Sequence, residues 1–217
     1  DKPNWGQLRF LGSRVQVTPS PVRKDVLYVN ATAITFDATD GSAWSQAELV
    51  GQQQIRLIVG IFRRYLPGFS DCYFLGSMPK ISIRASRRIV GEYELTRDDV
   101  AKGKRFPDGI ARGAYPMSVQ STEKPNVRLH LYTKDGGDYD IPYRCLVPNK
   151  VDGLLVAGRC LSATREASGS ARIGASCQAY GHAAGVAAVL AAESGIAPRN
   201  VDTDELRRLL LKQKAII

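Results

Sequence analysis

The chain has 217 residues, 44% apolar and 24% charged, with 20 glycines and 11 prolines; this balance suits one sizeable hydrophobic core or two small ones and excludes disorder as the main state. Thirty Lys and Arg against 21 Asp and Glu give a net charge of +9, which permits attraction to anions but names no partner. The longest nearly uniform apolar run, 183–190 with an extension to Ala192, falls short of the roughly 20 residues that span a bilayer, so no transmembrane segment is expected.

In chain order, Arg14-Val15-Gln16-Val17 alternates, Pro19 and Pro21 interrupt, and Val26-Leu27-Tyr28-Val29 is β-rich up to Asn30, which predicts two strands joined by a turn. Ser45 and Glu48 read as a capping box. Ile55, Ile58, Val59, Phe62 and Leu66 then recur at helical spacing until Pro67-Gly68, which predicts the clearest helix of the chain with one face buried. Ile81 and Ile83 alternate into a basic cluster, Arg84, Arg87 and Arg88, which predicts a strand carrying an arginine patch. Thr96 with Asp98 and Asp99 begins a short helical turn, and 103–116 reads as loop. Residues 127–133 and 139–141 read as strands joined by Asp135-Gly136-Gly137, hence a hairpin.

The last third changes character. Leu154-Leu155-Val156-Ala157-Gly158 is a continuous apolar run behind Gly153, the pattern of a strand buried on both faces of an α/β sheet. A loop of small residues, 159–169, leads to a long helix predicted over about 170–194 and closed by Gly195. Its surface is almost all alanine and glycine. Gly174, Gly181 and Gly185 would each cost about 1 kcal/mol relative to alanine, which predicts a close approach to the backbone there. A final helix starts at Asp202, has Glu205 three residues on, and carries Leu206, Leu209 and Leu210.

A buried strand, a tight loop and a helix start rich in Gly and Ser form a site for an anion or a dipole. The backbone N–H groups around Ser170, Ala171, Arg172 and Ile173 would point at the ligand, with the positive end of the helix behind them. A phosphate suits such donors, and so does the N1–C2=O edge of a reduced flavin; close packing of strand on helix with no ligand explains the pattern equally well. The chain has no G-x-G-x-x-G after a strand, no G-x-x-x-x-G-K-[ST] and no G-x-S-x-G. Cys72, Cys145, Cys160 and Cys177 lie far apart without a C-x-x-C pair, and His130 and His182 are the two histidines, so free thiols and no metal site are expected. The 20 arginines against 10 lysines are scattered without interleaved aromatics, so no nucleic-acid surface is expected. Asn30-Ala31-Thr32 fits a glycosylation acceptor, a triplet that chance often produces.

The runs 141–148 (IPYRCLVP) and 151–164 (VDGLLVAGRCLSAT) strongly resemble the C-terminal part of the FAD-dependent oxidoreductases of the glutathione-reductase-like superfamily. The runs 84–93 (RASRRIVGEY) and 106–113 (FPDGIARG) resemble the substrate-side domain of the same family, so the resemblance covers nearly the whole chain. It implies a mixed α/β and α+β fold: an inserted substrate-side domain over 1–145, and over 146–217 the C-terminal strand and helix that return to a discontinuous FAD-binding domain. The implied activity is hydride transfer from a small-molecule substrate to FAD. Gly158, Arg159 and Cys160 would then lie beside the ribityl and pyrophosphate region, and Ser170, Ala171, Arg172 and Ile173 near the flavin ring. Arg84, Arg87 and Arg88 would grip an anionic substrate, the alternative being that they pair with carboxylates such as Glu92 or Asp108. The chain departs from the family in Arg165, where histidine is common, and in the small residues of Ile173-Gly174-Ala175-Ser176.

The resemblance implies that the N-terminal β-α-β unit with the glycine fingerprint is missing. Asp1 stands where methionine would, and no signal pattern follows, so the expectation is a processed or cut product of something longer. Such a chain would bind FAD weakly or not at all by itself, would need the missing half or a partner chain carrying it, and would otherwise self-associate through its uncovered helix face. The alternative is a non-catalytic half that waits for that partner. No membrane partner is expected, and cytoplasmic and exported locations stay equally open.

Overall fold

The computed structural model describes residues 15–120 and 128–217. Arg14 and Val127, at the starts of two predicted strands, lie outside them, as does Asp1. The chain forms two compact units. One holds the described residues up to Ser86 with Gln120 and Arg128; the other holds Arg87–Val119 and Leu129–Ile217.

In the first unit, β1 (Gln16–Pro19) and β2 (Leu27–Asn30) pair antiparallel, with Val17 opposite Val29 and Pro19 opposite Leu27. The Ser20 hydroxyl closes the turn between them by accepting from the N–H of Val22 and of Arg23. Helix α1 (Gly41–Tyr65) starts a turn earlier than the expected capping box, because the Asp40 carboxylate accepts from Ser42 N–H at 2.8 Å. Glu48 does not cap the helix; its carboxylate accepts from the backbone N–H of Ile81. The helix ends where Pro67 forbids continuation, and Arg63 and Arg64 face the negative end of its dipole. Its buried stripe is Ala47, Gln54 and Ile58. Gln54 exchanges two hydrogen bonds with the backbone of Ala33, at 3.1 and 3.2 Å, much as a neighbouring strand would. Ile55, Val59 and Phe62 of the predicted face are half-buried, and Leu66 is exposed. The segment 81–90 does not form the expected strand; it is irregular.

The second unit carries the core. Helix α2 (Arg97–Lys102) has a complete capping box between Thr96 and Asp99 and closes on Gly103 at φ 63°. Strand β3 (Gly109–Gly113) lies inside the stretch expected to be loop, and pairs antiparallel with β6 (Tyr139–Pro142) across a bulge between Gly109 and Ala111. The sequence hides this strand because its glycines are spacers. A Cβ on Gly109 would stand 2.8 Å from the Asp140 carboxylate, and one on Gly113 would stand 2.5 Å from the Tyr139 ring. β4 (Met117–Gln120) pairs with β5 (Arg128–Leu131). The expected hairpin of β5 with β6 is therefore replaced by two pairs, β4 with β5 nested in sequence inside β3 with β6, and the Asp135-Gly136 turn, left-handed at both residues, joins strands that belong to different pairs.

Two further expectations change. The run 154–158 is not a buried strand: Leu154 is 45% exposed, and the segment is a bridge between two left-handed glycines, Gly153 (φ 70°) and Gly158 (φ 98°). No strand among the described residues flanks it, so its apolar side chains have no sheet to join. The predicted long helix is two helices, α3 (Arg165–Ala171) and α4 (Gly174–Ser194), and α3 occupies part of the expected loop. α4 packs on β3 and on α5 (Thr203–Lys212) through Ser176, Tyr180, Ala183, Ala187 and Ala191, and ends at Gly195 (φ 64°). Gly181 and Gly185 point to open space, with nothing within 4 Å of where a Cβ would stand, so they mark no close approach. The glycine that does is Gly169 in α3, where a Cβ would meet Val119 at 2.9 Å and the Ser118 backbone at 3.0 Å. α5 is capped by Asp202 as expected. Among the described residues no helix is long and apolar enough to cross a membrane.

Candidate functional site

The residues expected at the flavin, Gly158 to Cys160 and Ser170 to Ile173, fall on one continuous piece of the second unit that leads into α4. Gly158 begins a turn in which Leu161 N–H donates to its carbonyl at 3.1 Å, with Arg159 exposed and Cys160 half-buried. The next residues are pinned from two sides. Ile89 N–H donates to Cys160 O, Gly91 N–H to Ser162 Oγ and Leu95 N–H to Ser162 O, while Ser162 N–H donates to Cys145 O. Gly91 is required there, since a Cβ would lie 2.7 Å from that of Ser162. Thr164 then caps α3 by accepting from Ala167 N–H.

Ser170 and Ala171 are fully buried, in the last turn of α3. The Ser170 hydroxyl lies 2.7 Å from the phenol of Tyr139 and donates to Tyr115 O, so it holds α3 to β6. Burial pushes the Tyr139 phenol up to about 12, and it stays protonated. Arg172 and Ile173 form the break: their N–H groups fold back onto Ser168 O and Ser170 O, and Ile173 turns extended at ψ 143°. The donors left without an acceptor therefore begin at Gly174, later than expected. The N–H groups of Gly174, Ala175 and Ser176 have no acceptor among the described residues, and Ile173 offers no capping side chain. Gly174 and Ala175 are exposed, and nothing stands within 4 Å of where a Gly174 side chain would be. These three donors sit at the positive end of a 21-residue helix.

The arginines divide. Arg84 belongs to the first unit, Arg87 and Arg88 to the second. Arg88 donates from Nε to Ala163 O at 2.8 Å, which ties it to the loop ahead of α3. Arg84 and Arg87 are exposed. The carboxylates considered as their partners are held elsewhere: Asp108 by Arg144 at 2.9 Å and Glu92 by Arg199 at 3.1 Å. These pairs line a cleft of about 400 Å³ with Tyr143 and Thr203, and their charges neutralise one another. Sequence reasoning missed the phenols of Tyr139 and Tyr180 and the break itself. The one available signal was the three-residue spacing of Cys177 and Tyr180, whose thiol and phenol meet at 2.9 Å.

The four cysteines are unpaired, and burial pushes the Cys145 thiol up to about 12. Among the described residues no group of three His, Cys, Asp or Glu could hold a metal ion. No curated protein and no solved structure matches the chain. A family model of the FAD dependent oxidoreductases matches residues 2–210, and the chain belongs to that family.

Proposed function

We propose that the chain supplies the C-terminal side of a flavin site of the glutathione-reductase-like kind, with the first turn of α4 as its contact with the flavin ring. The observation that carries this reading is the uncapped start of α4, three N–H donors without an acceptor among the described residues and open space beside Gly174, in a chain of an FAD-dependent family. Those donors suit the N1–C2=O edge of the ring, where negative charge gathers on reduction. Bound FAD would supply a two-electron acceptor able to take a hydride from a small-molecule substrate. The residues themselves orient and stabilise. Gly158 and Arg159 would border the ribityl and pyrophosphate arm, with Cys160 behind them. Ser170 and Ala171 act from beneath, as the packed floor on which Arg172 and Ile173 turn the chain outward. Arg87, in the same unit, is the exposed cation that would receive an anionic substrate, while Arg88 positions the loop.

The fit is one-sided, because the sequence carries no G-x-G-x-x-G turn to cradle the pyrophosphate. The reading therefore includes a partner, the missing unit or a second chain that carries it, against the outer face of α4. That face, with Gly174, Gln178, Gly185 and Ala188 exposed or half-buried, is small and smooth enough for close packing, and self-association would cover it otherwise.

The experiment is a titration of the full chain with riboflavin, FMN and FAD, followed by flavin fluorescence and absorbance, with ADP as competitor. Recognition of the ring alone predicts weak binding of all three, with affinities within about threefold of one another and no competition by ADP. Tight stoichiometric FAD binding relieved by ADP would overturn the one-sided site, and absence of any flavin response would overturn the flavin reading.

A further inference from the structure

The break between α3 and α4 leaves a set of backbone groups that must be satisfied, and their partners can be followed one by one. Arg172 N–H and Ile173 N–H take Ser168 O and Ser170 O, and Ile173 O takes Cys177 N–H at 2.9 Å. Ala171 O, the last carbonyl of α3, has no backbone donor among the described residues. It accepts instead from the phenol of Tyr180, 3.3 Å away, which reaches back from the second turn of α4. Tyr180 is fully buried. Since its one proton lies on Ala171 O, its oxygen is left to accept from the thiol of Cys177 at 2.9 Å. Carbonyl, phenol and thiol thus form a chain that ties the end of α3 to the first turns of α4, whose first three N–H groups have no acceptor among the described residues. Burial holds the phenol well above its ordinary range, which keeps it protonated as the donor to Ala171 O.

We propose that Tyr180, supported by Cys177, is a positioning residue that sets the direction of the Gly174, Ala175 and Ser176 N–H groups by clamping the α3–α4 break. The inference rests on the reading that these groups face the flavin ring, and goes beyond it by naming what aims them. Pre-aimed dipoles are worth more than dipoles that must reorganise when charge develops, so a clamp of this kind acts on the flavin edge without touching it.

The test compares wild type with Tyr180→Phe, Cys177→Ala and Cys177→Ser by amide NMR on the full chain, with and without FMN. Without FMN, Tyr180→Phe should speed exchange of the Ile173 and Cys177 amides while the amides of α5 stay protected, and unchanged exchange at the break would overturn the clamp whatever the flavin does. With FMN, the Gly174, Ala175 and Ser176 amides of wild type should shift, and Tyr180→Phe should weaken the apparent affinity about three- to tenfold, the worth of one hydrogen bond. Cys177→Ser, which keeps a donor, should bind like wild type, and Cys177→Ala should fall between. An equal response in wild type and Tyr180→Phe overturns the positioning role and leaves the flavin reading standing; no shift in wild type overturns the flavin reading and the role with it.

Discussion

The two compact units are built from similar amounts of local signal and end in opposite states. In the first, the buried apolar side chains among the described residues are Ala31, Ala47 and Ile58, while Val22 is 89% exposed, Met78 73%, Tyr73 70% and Leu75 60%. In the second, Leu95, Val100, Met117, Tyr139, Ile141, Leu146, Leu206 and Leu210 are wholly out of water in one cluster. The hairpin and α1 of the first unit are started, capped and stopped by local chemistry, yet among the described residues they bury few apolar side chains. The lesson is that local chemistry suffices to make an element, whereas a core needs elements distant in sequence to meet on their apolar faces. The second unit achieves this by threading α4 over β3 and closing α5 on both.

The largest effect expected from this contrast is in large-to-small substitution. Leu206→Ala or Leu95→Ala should cost about 2–5 kcal/mol in chemical or thermal unfolding, because each leaves a cavity in a packed cluster. Leu75→Ala in the first unit should stay within about 0.5 kcal/mol. Equal losses at the two kinds of site would show that the first unit buries its apolar residues after all. Glycine substitutions sharpen the same point on a smaller scale. Gly169→Ala should destabilise by about 1–3 kcal/mol, since its Cβ would press on the Ser118 backbone. Gly60→Ala, in the interior of α1 with nothing within 4 Å, should stabilise by about 0.5–1 kcal/mol. Gly181 and Gly185, where the sequence predicts a close approach, belong with Gly60.

The smallest effect is in acid. Burial works against the Asp99 carboxylate, but its bonds to Lys104, Thr96 and Tyr93 outweigh that and hold its carboxyl below 3.8; Arg105, then Arg112, lower that of Asp138 against the cost of burial. For carboxyls depressed in the folded state, the stabilisation is present above 3.8 and is lost as pH falls through the lower folded value. Unfolding midpoints of the second unit should therefore drop when pH is lowered below 3.8, and Asp99→Asn should flatten that drop. In the first unit, the Arg23–Asp25 pair is exposed at 54% and 68%, and its removal should leave the acid limb unchanged. A flat profile down to about pH 2 would sink the assignment of these two carboxylates.

Where the sequence was legible, the deciding interaction lay within a few residues. The strands at Val17 and Val29, the Thr96–Asp99 box, the Asp202 cap and the left-handed Gly195 follow from side chains that answer backbone groups next to them. The stretch from Gly158 to Ile173 leads into a helix start, as its small residues suggest, but the N–H groups of Arg172 and Ile173 are taken up by α3 and the unpartnered ones begin at Gly174, because nothing local announces that the chain folds back there.

The amino-acid sequence by itself determined the family, the caps at Thr96 and Asp202, the stop at Gly195 and the lack of a G-x-G-x-x-G motif, all of which are written in contiguous residues. Only the tertiary structure decided that Gly109–Gly113 is a strand, that 154–158 is not, that Gly169 rather than Gly181 is the tight spot, and that Tyr180 ties α3 to α4. Each of these depends on what stands opposite: Tyr139 fills the space left by Gly113, no sheet edge among the described residues reaches Leu154, Ser118 presses on Gly169, and a carbonyl without a backbone donor awaits the phenol. A strand or a close contact is a property of two segments, and one segment's residues carry only half of it.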